Sequence, residues 1–295
     1  MLAVVTAALA TGTVLRNREY SSAVSLARTV VSRWPTARAQ HWLGAELMAA
    51  GAHDEAMTNL RQALDGDPRV HYTLGMALFK DGQLSEAIEH LRAFVVAEPL
   101  RIEVPVAHET LGRALGRQGM YAEAAAELRL ALRMAPANKD LHAALGEALL
   151  KQQKFDEAAV EYRQFLAQHP SDVDALMNLG ITQVATGRTD EAIAAFSRAV
   201  EIDPRRQGAE RNLARILIEA RRFVDALPHA EAAVRLAPND AVAHDELGLA
   251  LAGQRRFAEA IDAFERSLEL DPADAEVRAH LAAVGRSKDG IIAHP

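Results

Sequence analysis

Residues 139–172 read KDLHAALGEALLKQQKFDEAAVEYRQFLAQHPSD, and their apolar residues recur at helical spacing. The first set is Leu145 and Leu149, and the second set is Ala158, Tyr162 and Phe165. Residues three and four apart share one face of an α-helix, so the segment predicts two consecutive amphipathic helices. Pro170 ends the second helix, because proline lacks an amide hydrogen and disfavours helix in the residue before it. The segment is therefore predicted to be a helical hairpin.

The same pattern recurs along the chain. A leucine, an alanine 13 residues later and a proline 25 residues after the leucine occur together seven times. The prolines are Pro68, Pro99, Pro136, Pro170, Pro204, Pro238 and Pro272. From Leu111 onward the leucines are 34 residues apart. A fixed period of this size is the signature of a solenoid, in which each repeat packs on its neighbours.

Helix ends are marked by recurring residue types. The first helices end near Gly51, Gly82, Gly119, Gln153, Gly187, Arg221 and Arg255. A left-handed residue commonly follows a helix, and glycine adopts that conformation without strain. The residues placed to cap the following first helix are Asn138, Asp172, Asp240 and Asp274.

Small residues indicate where the two helices of a repeat touch. A glycine follows the leucine in six of the seven repeats, and Ala214 replaces it in the other. We expect this residue to face the alanine of the second helix, for example Gly180 against Ala192. A larger side chain at either point would push the helix axes beyond about 8–10 Å.

The residues quoted so far resemble the tetratricopeptide repeat family. Its pattern is met well at Leu111-Gly112, Tyr121, Ala124, Leu128, Ala131 and Pro136. The resemblance covers residues 37–274, and histidine replaces the family's first aromatic at His71, His108, His142 and His244. It implies an all-α fold, a right-handed superhelical solenoid of stacked helix-turn-helix repeats.

The repeat spacing predicts a single solenoid domain over residues 1–286. Its predicted parts are a degenerate repeat at 3–36, repeats at 37–67, 68–104, 105–138, 139–172, 173–206, 207–240 and 241–274, and a capping helix at 275–286. Residues 287–295 are predicted to be a mobile tail. The spacing is irregular only near the start, where residues 100–105 hold an insertion.

Composition excludes several classes of function. A net charge of -7 gives no overall attraction to nucleic acid, and without cysteine there is no thiolate metal site or cysteine nucleophile. No phosphate-binding loop, His-Glu-x-x-His motif or nucleophile elbow occurs. The acids that open the second helices oppose the helix dipole and need no catalytic role: Glu55, Glu86, Glu123, Glu157, Glu191, Asp225 and Glu259. We predict a non-enzymatic protein with no cofactor and no bound metal, the four histidines serving in packing.

The first 15 residues are apolar and end before Arg16. They are too short to span a membrane, which needs about 20 residues, and they fit the first helix of the degenerate repeat. Alternatively, Arg16-Asn17, Tyr20, Leu26, Pro35 and Arg38-Ala39 resemble the junction after the last transmembrane helix of mannosyltransferase-like membrane proteins. The chain would then be an accessory domain of a membrane-bound glycosyltransferase, and the array would lie outside the cytoplasm. The sequence leaves the compartment open.

The family resemblance also implies a binding site. In the family the first helices line a concave groove, and the residue before the leucine points into it. That series is Trp42, Thr73, Thr110, Ala144, Asn178, Asn212, Glu246 and His280. Asn178 and Asn212 resemble rungs of an asparagine ladder that holds an extended peptide through its backbone. The nearby residues Met177, Ile181, Arg211 and Arg215 would add an apolar patch beside positive charge.

The carboxylate clamp of chaperone-binding family members is not met. With Asn212 as its middle residue, the preceding repeat offers Met177 and Ile181 where a lysine and an asparagine are needed, and the next repeat offers Val242 and Glu246 where two basic residues are needed. The predicted function is therefore a protein-interaction scaffold that binds an extended peptide or partner segment in its groove.

Overall fold

The computed structural model describes residues 22–292, with side chains as far as residue 286. In this range the regular elements are helices and no strand is present. The predicted all-α fold, a solenoid of helix pairs, is confirmed. The expectations for residues 1–21, including the apolar first 15 residues, lie outside the described range, as does the end of the predicted mobile tail.

Close contacts divide the chain into an N-terminal unit, Met1–Leu141, and a C-terminal unit, His142–Pro295. The described helices of the N-terminal unit are α1 Ala23–Arg33, α2 Ala37–Ala49, α3 His53–Gln62, α4 Val70–Lys80, α5 Leu84–Ala97, α6 Val104–Arg117 and α7 Tyr121–Met134. Those of the C-terminal unit are α8 Leu141–Lys151, α9 Phe155–Leu166, α10 Val173–Ala185, α11 Thr189–Ile202, α12 Gln207–Glu219, α13 Phe223–Leu236, α14 Ala241–Gly253, α15 Phe257–Leu270 and α16 Ala275–Ile292. That the chain behaves as one domain stays a prediction.

Each unit is a stack of helix pairs. Within a unit, helices that are neighbours in the sequence pack on each other, and the core between them consists largely of alanine and leucine. Phe94, Tyr162, Phe196 and Phe264 are its largest fully buried side chains. The cores are thus built from local contacts, as expected of a repeat protein.

The predicted left-handed residues are confirmed at all seven turns. Positive φ angles occur at Gly51, Gly82, Gly119 and Gly187 and also at Gln153 (60°), Arg221 (58°) and Arg255 (62°). The backbone N–H of the next residue donates to a carbonyl of the first helix, as Arg222 does to Leu217 at 2.8 Å. The turn geometry is therefore kept where the glycine is lost, and the three L-residues bear the strain.

Three of the four predicted caps are confirmed. Asp172 accepts from the N–H of Ala175 at 2.8 Å, and Asp240 and Asp274 accept from the amides that open α14 and α16. The prediction for Asn138 is wrong. Helix α8 begins at Leu141, three residues after Asn138, so Asn138 does not directly precede it. The side-chain amide of Asn138 instead donates to the nearby carboxylate of Glu109 at 3.0 Å.

The predicted contact between the glycine and the alanine is present in two repeats, but a bulkier residue of the second helix lies closer. The carbonyl oxygen of Ala56 lies 3.3 Å from a Cβ atom built on Gly44, and that of Ala124 lies 3.1 Å from one built on Gly112. A Cβ atom built on Gly180 would lie 2.5 Å from Cε1 of Phe196, four residues beyond Ala192. In another repeat, a Cβ atom on Gly112 would lie 2.7 Å from Cγ of Leu128, whereas the Cβ of Ala124 lies 3.9 Å from a Cβ atom on Gly116. The glycine therefore faces the side chain of the bulky residue. The alanine side chain lies closer to the residue one turn further along the first helix, nearer the loop.

The ends of the described chain differ from the prediction. The backbone of α16 continues to Ile292, beyond the predicted end of the capping helix at residue 286. Residues 100–103 of the insertion form turns before α6 and leave Leu100 and Ile102 almost fully exposed, while residues 104 and 105 belong to α6. Of the helices at residues 22–292, none combines the length and apolar character needed to cross a lipid bilayer.

Candidate functional site

The candidate site lies on the first helices of the C-terminal unit. The 34-residue spacing places Asn178, Asn212 and Glu246 at equivalent positions in α10, α12 and α14. Helices α12 and α14 pack directly on each other, and Met177 of α10 reaches Gly208 of α12. The surface that carries these three residues is called the ladder face below.

The two asparagines are only partly buried. The amide of Asn178 lies beside the buried hydroxyl of Tyr162, and burial raises the pKa of that hydroxyl. No hydrogen bond within residues 22–292 engages the amide of Asn212. The ladder face therefore contains a polar group, the Asn212 amide, that remains available for a ligand.

The predicted basic residues differ in their availability. Nη1 of Arg211 donates to Oδ2 of Asp240 at 3.0 Å, and the same oxygen accepts from Nε2 of Gln207 at 2.7 Å. Arg211 is thus tied to the residue that caps α14. Arg215 is exposed, and its nearest carboxylate oxygen, on Glu219, is 4.0 Å away. Of the predicted pair, Arg215 is the guanidinium that can turn toward a ligand.

The predicted apolar residues contribute to packing as well as to the surface. Met177 packs beside the buried cluster of Leu176, Ala199 and Ala209, and its Cε lies 3.2 Å from a Cβ atom built on Gly208. Ile181 packs against the cluster around Phe196. Both are partly buried, so each presents only part of its side chain to the ladder face.

The sequence reasoning missed the importance of Glu246. Its side chain is 5% exposed, and Oε2 is buried without a hydrogen-bond partner in the described structure. Burial raises the pKa of Glu246 from 4.5 to about 8, and the positive charges of Arg211 and Arg215 act in the opposite direction without offsetting it. The carboxyl group is therefore mostly protonated at neutral pH. The sequence did contain a signal for this, since Glu246 occupies the same repeat position as the neutral residues Asn178 and Asn212.

His280, which was predicted to continue the series, has its polar edge turned toward neighbouring helices. Nδ1 of His280 lies 2.9 Å from Oδ1 of Asp245, and its ring packs 5.7 Å from that of Phe264. The ring is held between α14 and α15 because it is both partly apolar and hydrogen-bonded. Its polar edge is thus already engaged.

The equivalent positions in the N-terminal unit are satisfied internally. Nε1 of Trp42 donates to Glu46 at 3.0 Å, and the hydroxyl of Thr110 donates to the carbonyl of Val106 at 2.9 Å. The hydroxyl of Thr73 lies 2.9 Å from Nε2 of His41. Open polar groups in this series are therefore found in the C-terminal unit.

Three of the four histidines at the first-aromatic position link the two helices of a repeat, whereas Nε2 of His244 lies 3.0 Å from the carbonyl oxygen of Pro238. His108 contacts Glu127 and His142 contacts Glu161, each with an Nδ1 to oxygen distance of 2.6 Å and a spacing of 19 residues. His71 meets His90 at the same spacing, with 2.9 Å between their Nδ1 atoms. In the described part of the chain no three His, Asp or Glu side chains are grouped to hold a metal ion. These contacts account for the histidines within the hairpins.

Four of the acids at the starts of the second helices form ion pairs with the preceding repeat: Glu55, Glu86, Glu123 and Glu191. Asp225 and Glu259 instead pair with an arginine three residues earlier. Glu55 lies 2.6 Å from Arg28, and Glu191 lies 2.6 Å from Arg163. Both partners are exposed, so each pair contributes about 0–1 kcal/mol. Besides opposing the helix dipole, the acids that pair with the preceding repeat thus help to set the register between repeats.

Structures of other proteins share this fold. Residues 41 to the end of MamA from Desulfovibrio magneticus RS-1 are 26% identical, with a TM-score of 0.50 that covers 51% of this chain and 85% of that chain. YrrB, a TPR protein with an unusual peptide-binding site, is 17% identical, with a TM-score of 0.58 over 66% of this chain and 99% of that chain. The C-terminal part of a TPR repeat-containing protein from Cytophaga hutchinsonii is 17% identical, with a TM-score of 0.62 over 81% of this chain and 98% of that chain.

Sequence comparison gives the family. None of the curated proteins matches the chain. The family profile described as Tetratricopeptide repeat matches residues 13–71, 46–102, 72–139, 109–162, 143–206 and 211–275. Proteins of this kind are generally non-catalytic scaffolds, and the fold supports a role in protein interaction. Since these matches span most of the sequence, the chain belongs to the tetratricopeptide repeat family.

Proposed function

We propose that this protein is a non-enzymatic scaffold that binds an extended segment of a partner protein along the ladder face. The placement of the two asparagines carries the proposal, because Asn178 and Asn212 are equivalent and only partly buried, and the amide of Asn212 has no partner in the described structure. A primary amide donates and accepts at once. Two such amides one repeat apart suit the alternating N–H and C=O groups of an extended backbone.

The charges on the ladder face favour a segment with an acidic side chain. Arg215 is exposed and only loosely associated with Glu219, so it can pair with a carboxylate of the segment. Arg211 contributes less, because it is committed to Asp240. The exposed parts of Met177 and Ile181 offer apolar contact nearby. The expected segment is therefore extended, with apolar and acidic residues.

The known structures of this fold include a precedent. YrrB is a TPR protein with an unusual peptide-binding site, which supports the general idea that such a scaffold can hold a peptide. The residues proposed here are argued from this chain alone. The alternative, an accessory domain of a membrane-bound glycosyltransferase, draws no support from the family match or from the similar structures.

The test uses peptides selected from a random display library against the whole chain. Fluorescence anisotropy then gives Kd for the parent and for the double variant Asn178→Ala, Asn212→Ala. Each amide is expected to contribute about 0.5–1.5 kcal/mol, so the double variant should bind about five- to a hundred-fold more weakly. The matched control is Asn59→Ala, which removes a partly buried asparagine from α3 in the N-terminal unit and should leave Kd unchanged. Equal affinity of parent and double variant for every selected peptide would place binding elsewhere.

A further inference from the structure

Glu246 lies in line with the two asparagines but in a different state. Its Oε2 is closed off from solvent and has no hydrogen-bond partner among the described residues, which is not so of Oε1. A buried carboxylate without a partner is costly, and a neutral carboxylic acid is far cheaper. The geometry therefore favours the protonated form.

The burial of Oε2 also decides where the proton lies. A neutral carboxyl has one O–H donor and one C=O acceptor, and orphaned donors are rarer in proteins than under-satisfied carbonyl oxygens. The proton is therefore best placed on Oε1, with Oε2 as the buried carbonyl oxygen. In this arrangement Glu246 presents an O–H donor to the ladder face.

The charges around Glu246 are balanced in sign. Arg211 and Arg215 of α12 are its positive neighbours, and Asp240 and Asp245 are its negative ones. Arg211 is paired with Asp240, and Asp245 contacts His280 of α16. Only Arg215 lacks a close ion-pair partner. Because the other charges are paired with one another, they do little to offset the cost of burying an ionised Glu246.

We propose that Glu246 is a third hydrogen-bonding position of the ladder face, which donates from its protonated carboxyl group to a backbone carbonyl oxygen of the bound segment. This inference rests on the proposed function, since it requires a segment that runs past Asn178 and Asn212. It also adds to that function, because binding through a carboxylic acid depends on pH where binding through an amide does not. The pKa of Glu246, about 8, places the change just above neutral pH.

The test measures Kd against pH for one selected peptide with blocked ends and no group that titrates between pH 6.5 and 9.5. The loss of one hydrogen bond worth about 0.5–1.5 kcal/mol predicts that Glu246→Ala weakens binding about two- to twelve-fold at pH 6.5. Glu246→Gln, whose amide is also a donor, should keep the affinity of the parent. When the pH rises from 6.5 to 9.5, the parent should lose at least as much affinity as the alanine substitution removes at pH 6.5. The affinity of Glu246→Gln should stay constant over this range.

Two results would overturn the proposal. The first is an affinity of the parent that is constant over this pH range while the double asparagine variant still binds more weakly than the parent. The proposed function would then be retained, and the role of Glu246 as a third hydrogen-bonding position would be refuted. The second is full affinity of the double asparagine variant, in which case the proposed function itself fails and Glu246 with it.

Discussion

Replacement of Glu246 by glutamine should stabilise the folded protein at alkaline pH. The carboxyl group has a pKa of 4.5 in the unfolded chain and about 8 in the folded protein because it is buried. The folded state therefore holds a proton between pH 4.5 and 8 that the unfolded state has released, and the free energy of unfolding falls as pH rises through this window. Glutamine has a similar shape and does not titrate.

The size of the effect follows from the same pKa values. Well below pH 4.5 the carboxyl group is neutral in both states, and at pH 4.5 it is half ionised in the unfolded chain, so its pH-dependent penalty is still small there. Above pH 8 the ionised carboxylate is buried among groups that do not offset it, at a cost of roughly 2–5 kcal/mol. Apart from a constant difference, the free energy of unfolding of Glu246→Gln should therefore nearly match that of the parent at pH 4.5. At pH 9 it should exceed that of the parent by about 2–5 kcal/mol.

Urea unfolding followed by circular dichroism at pH 4.5, 6, 7.5 and 9 would measure the difference. The matched control is Glu147→Gln, which removes an exposed carboxyl group from the first helix α8. Its difference from the parent should not change across the window. The reasoning is refuted when the difference between Glu246→Gln and the parent is equally constant with pH, because the Glu246 carboxyl group would then be solvated in the folded protein.

Three further predictions concern packing and turns. Arg221→Gly should stabilise the protein by about 1 kcal/mol, because glycine removes the strain of a residue with φ of 58°; an unchanged or lower urea midpoint would contradict this. Gly180→Ala should destabilise by about 1–3 kcal/mol, since its Cβ would lie 2.5 Å from the buried Phe196 ring, whereas Gly285→Ala, with open space around it, should not destabilise. Ala192→Leu should also destabilise by about 1–3 kcal/mol through overpacking of a fully buried site, and a thermal midpoint equal to that of the parent would count against it.

The features set by local backbone chemistry could be predicted from the sequence. The seven left-handed residues and the aspartate caps at Asp172, Asp240 and Asp274 follow from positions within the repeat. Turn and cap geometry is determined by a few adjacent residues, so each repeated copy gives independent support. Even Gln153, Arg221 and Arg255 were placed correctly, because the period fixes their position when the residue type does not.

The contacts between helices were harder to predict. Small residues at Gly180 and Ala192 suggested that these two touch, but the atoms nearest to a Cβ on Gly180 belong to the ring of Phe196. The sequence shows which positions are small but not the register of the two helices, and a shift of one turn changes every partner. A glycine leaves room for a large side chain opposite it, just as it permits close approach of another small residue. Residue size alone therefore does not show which residue of the second helix faces the glycine.

The candidate site was predicted in part for the same reason. Position in the repeat was sufficient to select Asn178 and Asn212, but the state of each neighbouring charge depends on residues one repeat away. Arg211 is tied to Asp240, at a separation of 29 residues, while Arg215 is free of such a contact. The charged state of Glu246 depends in turn on whether these guanidinium groups reach it. The ionisation of a residue on the ladder face is thus a property of two adjacent repeats, which explains why an acid can replace an asparagine there and remain neutral.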